Sequence, residues 1–486
     1  MTSTTQRHVA ARGLGPADVA AYAASPRTSG VEVDLGAYDG DALAPARRAR
    51  ADLDAARAEG AVYGLTTGVG ALRHVPIEAE PADTDSHALR LWRSHAGAFG
   101  PEVSDEVARG TMLVRLHQLL LGGSGVDPAL VQALAEALAH DAVPRLHLYG
   151  GIGTADLTAL SELGLTLAGE LPWRRGSTAA APIADGDALP FASSNALTAA
   201  VGSIAVTGLA ALARAAEQTA ALSHLALRGS LQAYDPRAHA GKDDPYAAAV
   251  AERLTTLLAG PARESARLQD PFGLRAVPQV HGPWEEALAA ADRALAAEIG
   301  AAAENPLVVD GTTLHHGQFL TQRLAASLDA VRAAAVPALT LSTARLAALL
   351  DPELTGLAPF LADGPAGSSG LMIVEYVAAD LLARVRAAAT PVTGQRAVLS
   401  LGLEEHASHS TQAAWASHDL LGLLPDLLAC ELVAAVRALR LDPSRVADCP
   451  AGELFARADA ALPDVRRDHV VGPELEAAAA LLRAGL

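Results

Sequence analysis

Several short segments hold the residue types from which acid/base and anion-binding chemistry is built. Tyr63-Gly64-Leu65-Thr66-Thr67-Gly68-Val69-Gly70 sets one phenol among three glycines and two threonines. Glycine permits positive φ and close backbone approach, so this segment reads as a loop that presents Tyr63, and a presented phenol can exchange a proton with a substrate. Leu268-Gln269-Asp270-Pro271-Phe272-Gly273-Leu274-Arg275, followed by Pro278-Gln279-Val280-His281-Gly282, places an arginine just after an aromatic ring. A guanidinium offers a planar, bidentate fork to a carboxylate. Gly150-Gly151-Ile152-Gly153-Thr154-Ala155-Asp156-Leu157 is a second glycine-rich loop. Around these stand His95 in Arg93-Ser94-His95-Ala96-Gly97, Asn195 in Ser194-Asn195-Ala196, His315 in Leu314-His315-His316-Gly317-Gln318, and Glu404 in Gly402-Leu403-Glu404-Glu405-His406.

The elements that must position these residues are mainly helical. Ser104–Leu121 has helical periodicity, with Ser104 as N-cap and Gly122-Gly123 as stop. Asp85–Phe99, Asp127–Ala139 and Asp156–Gly169 are predicted helices, the last opening directly after the second glycine loop. From Ala196 to Thr256 the pattern is alanine-rich and nearly unbroken, and Pro283–Ala303, Gln318–Leu349, Gly370–Ala389 and Gln412–Leu439 are further long helices. Long apolar helices need partners, which predicts a bundle. The expected organisation is an N-terminal active-site domain over residues 1–195, holding both glycine loops, and a long-helix bundle over 196–486, holding the Arg275 segment.

Composition narrows the function classes. Half of the 486 residues are apolar but only 3% are aromatic, so alanine and leucine carry the core of closely packed helices. A net charge of -18 opposes binding to nucleic acid and anionic lipid, leaving a small-molecule substrate as the expected partner. Cys430 and Cys449 lack zinc-type spacing, and the pairs His315-His316 and His406-x-x-His409 have no matching carboxylate cluster, so no metal is expected. The N-terminal MTSTTQRHVAARG lacks the apolar core of a secretory signal, and no window reads as a membrane span. A soluble, cytoplasmic chain is expected.

Taken in order, these segments resemble the histidine/phenylalanine ammonia-lyase superfamily over roughly residues 45–440. The Tyr63 loop is similar to the loop that carries the family's catalytic base. Ser94-His95-Ala96-Gly97 resembles the segment whose histidine contacts imidazole in histidine ammonia-lyases. The Gln269–Gly282 stretch is the most specific match and implies that Arg275 anchors a substrate carboxylate. Asn195 matches the asparagine that contacts cofactor and substrate, and His315 falls in a pocket segment. Glu404 matches the position where histidine lyases place a glutamate toward the side chain and phenylalanine lyases typically a glutamine. Glu304-Asn305-Pro306-Leu307 resembles the family's Asp-Asn-Pro-Leu turn. The resemblance implies a mainly α ammonia-lyase fold and a homotetramer. Its active sites would be composite, with tyrosine loop, arginine segment and late acidic segment drawn from different subunits.

The pattern breaks at the family's cofactor. The family makes 4-methylidene-imidazol-5-one from an internal Ala-Ser-Gly: the glycine nitrogen attacks the alanine carbonyl, and the serine loses water to leave an electrophilic methylene. Here the triad is Gly153-Thr154-Ala155, although Asp156-Leu157 after it is kept. Ala155 brings a Cβ to the strained turn, and a dehydrated threonine would carry a methyl on its double bond. Phe272 stands where the family commonly has tyrosine. No 4-methylidene-imidazol-5-one is therefore expected. The expected function is cofactor-independent Tyr63 acid/base β-elimination, or the reverse conjugate addition or cyclisation, on an activated small carboxylate or acyl substrate in specialised metabolism. The alternatives are a histidine-type ammonia-lyase with a variant cofactor from Gly153-Thr154-Ala155, and an inactive regulatory paralogue.

Overall fold

A computed structural model describes residues 7–11, 13–77, 86–261, 263–446 and 448–486. Helix accounts for 59% of the chain, and the strands are short pairs of two to four residues. The mainly α reading holds. Ser104 caps Asp105–Leu120, its Oγ accepting from the Val107 amide at 3.2 Å, and Asp127 caps Pro128–Ala139. The predicted Asp85–Phe99 helix is His87–His95, and Asp85 itself lies outside the described residues.

The long apolar pattern after Ala196 is not one helix. It runs unbroken only over Ala196–Ala226, then gives way to Pro236–His239 and Pro245–Leu257. Arg228 at φ +51 ends the first piece, and Asp235 and Asp244 each sit before a proline, where helical backbone is disfavoured, and cap the next. Val277–Ile299, Gln322–Leu350, Met372–Ala388 and Ser410–Leu441 complete the long helices.

The chain divides into two compact units that are discontinuous in sequence, where the sequence reading drew a single boundary near 195. The first holds 1–207, 291–328 and 391–415; the second holds 208–290, 329–390 and 416–486. Four of the five breaks fall inside long helices, which no composition shift marks. By length and composition, Ala188–Ala226 and Gln322–Leu350 are apolar enough to cross a membrane, against expectation; 78% and 50% of their most apolar windows are buried inside the protein.

In the first unit the core around the glycine loops is pinned by a buried ion pair. Arg115 donates to Glu304 at 2.7 Å, and also to the Phe191 and Pro190 carbonyls. This fixes the Glu304-Asn305-Pro306 turn beside the Ser193–Asn195 segment, where Ser193 Oγ accepts from the Asn305 amide at 3.2 Å.

Candidate active site

The second glycine loop is held from several sides. The Ile152 carbonyl accepts from the His409 amide at 2.9 Å, the Gly151 carbonyl from Gln412 at 2.7 Å, and the Gly153 carbonyl from Ser408 Oγ at 2.7 Å. Gly153 has φ +77, and Ala155 holds φ +82 although it is not glycine. A Cβ at position 153 would meet Ser408 Oγ and lie 2.7 Å from the Ser410 backbone nitrogen. Position 153 is thus built for glycine, while Ala155 holds a backbone conformation that glycine adopts without strain.

Asn195 and Asp156 exchange helix-capping duties below this loop. Asn195 occupies the N-cap position of Ala196–Ala226, yet its Oδ1 accepts from the Ala155 amide at 3.2 Å and its Nδ2 donates to the Phe319 carbonyl at 2.7 Å. Asp156 caps that helix instead, accepting from the Thr198 amide and from its hydroxyl, both at 2.8 Å. Asp156 is fully buried, and burial pushes its carboxyl up to about 6 against the pull of those hydrogen bonds.

Tyr63, Thr154, Ala155, His315 and Glu404 line one cavity of about 400 Å³, together with Arg73, Asn305, Phe319 and apolar walls from Leu157, Leu189 and Leu403. The Gly70 amide donates to Tyr63 Oη at 2.7 Å, and the Tyr63 and His315 rings meet edge-on with centroids 6.1 Å apart. The late acidic segment joins the tyrosine loop in the same chain: Ser400 Oγ accepts from the Ala71 amide at 2.8 Å. Within one chain, both segments belong to the first unit, and Ser400 beside the late acidic segment is hydrogen-bonded to the tyrosine loop.

Other expected residues lie elsewhere. His95 is not among the residues lining this cavity; its Nδ1 faces the Leu91 carbonyl at 2.9 Å and Ser94 Oγ at 3.0 Å. Asn195 acts on the cavity through Ala155 and Phe319. Phe272 and Arg275 belong to the second unit and line a different cavity of about 550 Å³ with Gln232, Gln269 and Gln279. There the Arg275 guanidinium stacks 4.3 Å from the Phe272 ring centroid. With its amide turned so that oxygen faces the guanidinium, Gln269 accepts from both Arg275 Nη atoms at 2.6 and 2.8 Å. Phe272 thus keeps a use for its ring without the hydroxyl. Among the described residues, no group of three or more His, Cys, Asp or Glu side chains is placed to hold a metal ion.

Sequence reasoning missed Arg73, Ser193, Phe319, Ser400 and Ser408. Arg73 lies ten positions after Tyr63 in the same loop region, a proximity that marks it only once the loop is seen to fold back on itself.

The pattern of the aromatic amino acid lyase family matches residues 14–459, nearly the whole chain. The chain belongs to the aromatic amino acid lyase family. Within that family it is 33% identical over 447 residues to a histidine ammonia-lyase of Geobacillus kaustophilus, covering 87% of each chain. It is 32% identical to the histidine ammonia-lyase of Streptomyces avermitilis, covering 98% of this chain and 96% of that one. Among solved structures, histidine ammonia-lyase from Trypanosoma cruzi matches with a TM-score of 0.84 at 25% identity, over 97% of this chain and 92% of that one. Ergothionase from Treponema denticola matches with a TM-score of 0.89 at 22% identity, over 98% of both, a likeness of fold alone.

Proposed function

We propose that this lyase-family chain works without the self-made electrophile of its family. In this reading Tyr63 moves a proton at the α- or β-carbon of a small, activated carboxylate or acyl substrate, in elimination of an amine or water or in the reverse conjugate addition. The observation that carries it is the packing around Gly153. The family's first triad residue, alanine, has no room at position 153 against Ser408 and Ser410; Thr154, in place of the family's serine, would yield an ethylidene and not a methylidene; and Ala155, in place of its glycine, holds a Cβ at φ +82. The residues at this site do not fit the family's cofactor. The cavity's own groups supply proton transfer and binding: the Gly70 amide fixes the position of Tyr63 Oη, and Arg73, Glu404 and His315 offer charge and hydrogen bonds around it.

A second reading is supported by the relatives. Those matched over nearly the full chain are named histidine ammonia-lyases, which favours deamination of a histidine-like amino acid with a variant electrophile from Gly153-Thr154-Ala155. The fold does not decide between them, since solved structures on it include an ergothioneine-degrading enzyme and aminomutases.

Intact mass separates the two. An unmodified mass, together with turnover of an activated substrate that falls about 100-fold or more in Tyr63→Phe, is expected. Loss of two waters from the encoded chain, with deamination of histidine, overturns the cofactor-free reading.

A further inference from the structure

Elimination has two ends, and Tyr63 serves only one of them. A base takes the proton at one carbon, and the group on the neighbouring carbon must leave with its electron pair. Hydroxide leaves poorly, so a site without the family's electrophile needs an acid to protonate the departing oxygen. Besides Tyr63, the titratable side chains that line the cavity are Arg73, Glu404 and His315. A guanidinium does not give up its proton in a protein, and a carboxyl is ordinarily ionised near neutral pH. Imidazole is the side chain whose charge changes in that range.

His315 is also in contact with the base. Its ring meets the Tyr63 ring edge-on, with centroids 6.1 Å apart and an interplanar angle of 84°. Its place is set by its neighbours in the chain. Leu314, just before it, pairs with Leu307 in the hairpin of Leu307–Val309 and Thr312–Leu314. His316, just after it, is pinned: its amide donates to Asn305 Oδ1 at 3.2 Å, its Nε2 lies 2.7 Å from the Glu304 carbonyl, and its Nδ1 accepts from the Gln318 amide at 3.0 Å. Nε2 of His316 therefore carries the proton, and both of its nitrogens are engaged. Glu304 is itself held by the buried Arg115. His315, by contrast, is exposed, and neither of its nitrogens has a hydrogen-bond partner among the described residues. Of two adjacent histidines, one is locked into the turn and the other is presented to the cavity.

We propose that His315 is the catalytic general acid that protonates the leaving oxygen of a β-hydroxyacyl substrate. This inference rests on the cofactor-free reading of the Tyr63 site. Deprotonated Tyr63 takes the proton from the α-carbon, and the C–H electron pair becomes the Cα–Cβ double bond. The Cβ–O bond breaks with its pair on oxygen, and imidazolium His315 gives that oxygen its proton, so water leaves. Tyr63 then returns its proton to solvent, and the exposed His315 regains one from it. In the reverse direction His315 deprotonates the incoming water and Tyr63 protonates the α-carbon. An ammonium already carries the proton it leaves with, so an acid at this place favours a hydroxyl as the leaving group.

The test uses the full-length protein and the N-acetylcysteamine thioesters of 3-hydroxybutanoate and 3-acetoxybutanoate. Both give the same unsaturated thioester, but acetate leaves without a proton and hydroxide does not. His315→Gln is expected to slow the hydroxy probe about 100-fold and the acetoxy probe by at most about threefold, whereas Tyr63→Phe slows both about 100-fold. Deuterium entry from heavy water at the α-carbon of the hydroxy probe should follow Tyr63 and persist in His315→Gln. The exposed His315 ring predicts an unchanged melting temperature for that variant. His316→Gln, which removes a bond from the turn, should melt lower and slow both probes alike. The assignment is overturned, with the Tyr63 reading intact, if His315→Gln slows both probes alike or neither while Tyr63→Phe still stops them. If wild type converts neither probe and exchanges no α-proton, or if Tyr63→Phe is as fast as wild type, the Tyr63 reading fails and this assignment falls with it.

Discussion

At the scale of single residues, the buried carboxyl of Asp156 links the site to stability. Its value in the unfolded chain is the ordinary 3.8, and burial raises it to about 6 in the folded protein. Between those values the folded state holds a proton that the unfolded chain releases. The stabilising contribution is therefore full below about pH 4 and is lost as pH rises through 6, a change on the order of 3 kcal/mol. Asparagine in its place has no proton to lose and can still accept from the Thr198 amide. Relative to wild type, Asp156→Asn should accordingly look better near pH 7 than near pH 4 by that order, which urea unfolding at the two pH values measures. Equal differences at both would show that Asp156 stays ionised in the folded protein. The family resemblance marked Tyr63, Gly153, Thr154, Ala155, His95, Asn195, Phe272, Arg275, His315 and Glu404 as parts of one site; Tyr63, Thr154, Ala155, His315 and Glu404 share a cavity, and the other five do not line it. Arg73 was invisible, because an arginine in an exposed loop has the look of ordinary surface until its neighbours in space are known.

At the scale of elements, the loop 150–157 shows why a motif departure is more than a change of letters. Ala-Ser-Gly and Gly-Thr-Ala differ in where the Cβ atoms sit, and the surroundings have adapted to the second arrangement. Gly153→Ala places a Cβ against Ser408 and the Ser410 backbone at positive φ, which should cost about 2–4 kcal/mol. Ala155→Gly relieves left-handed strain of about 1–2 kcal/mol while making the unfolded chain more flexible, so its net effect should be neutral to about 1 kcal/mol stabilising. Thermal melting of the two variants checks the asymmetry; a tolerated Gly153→Ala would mean that the loop can take the family's triad after all. Helix starts were legible where Ser104 and Asp127 cap their own helices. The start at Ala196 was legible for the wrong reason: Asn195 looks like its cap, but its side chain serves Ala155 and the cap comes from Asp156, forty residues earlier in the chain. Such an exchange depends on tertiary packing, which a local pattern does not encode.

At the scale of the whole molecule, the two residues that family resemblance would join in one reaction lie in different units: Tyr63 in the first, Arg275 in the second, each lining its own cavity. The resemblance implies a homotetramer in which the arginine segment comes from another subunit than the tyrosine loop, and we propose that assembly here. The second unit exposes Leu268 at 96% and Phe272 at 65% beside Arg275, large apolar groups of the kind that partner surfaces cover. Complementation decides the matter more sharply than a measurement of size. Chains carrying Tyr63→Phe and chains carrying Arg275→Gln are each expected to be inactive alone. If every site takes its tyrosine from one chain and its arginine from another, random mixing by co-expression makes about a quarter of the sites intact, and turnover on the activated substrate should return to about that fraction of wild type. If both residues serve from the same chain, no mixed assembly contains an intact site and no activity returns. Recovery well above background would also show that the two units of a single chain need not meet for the reaction to proceed.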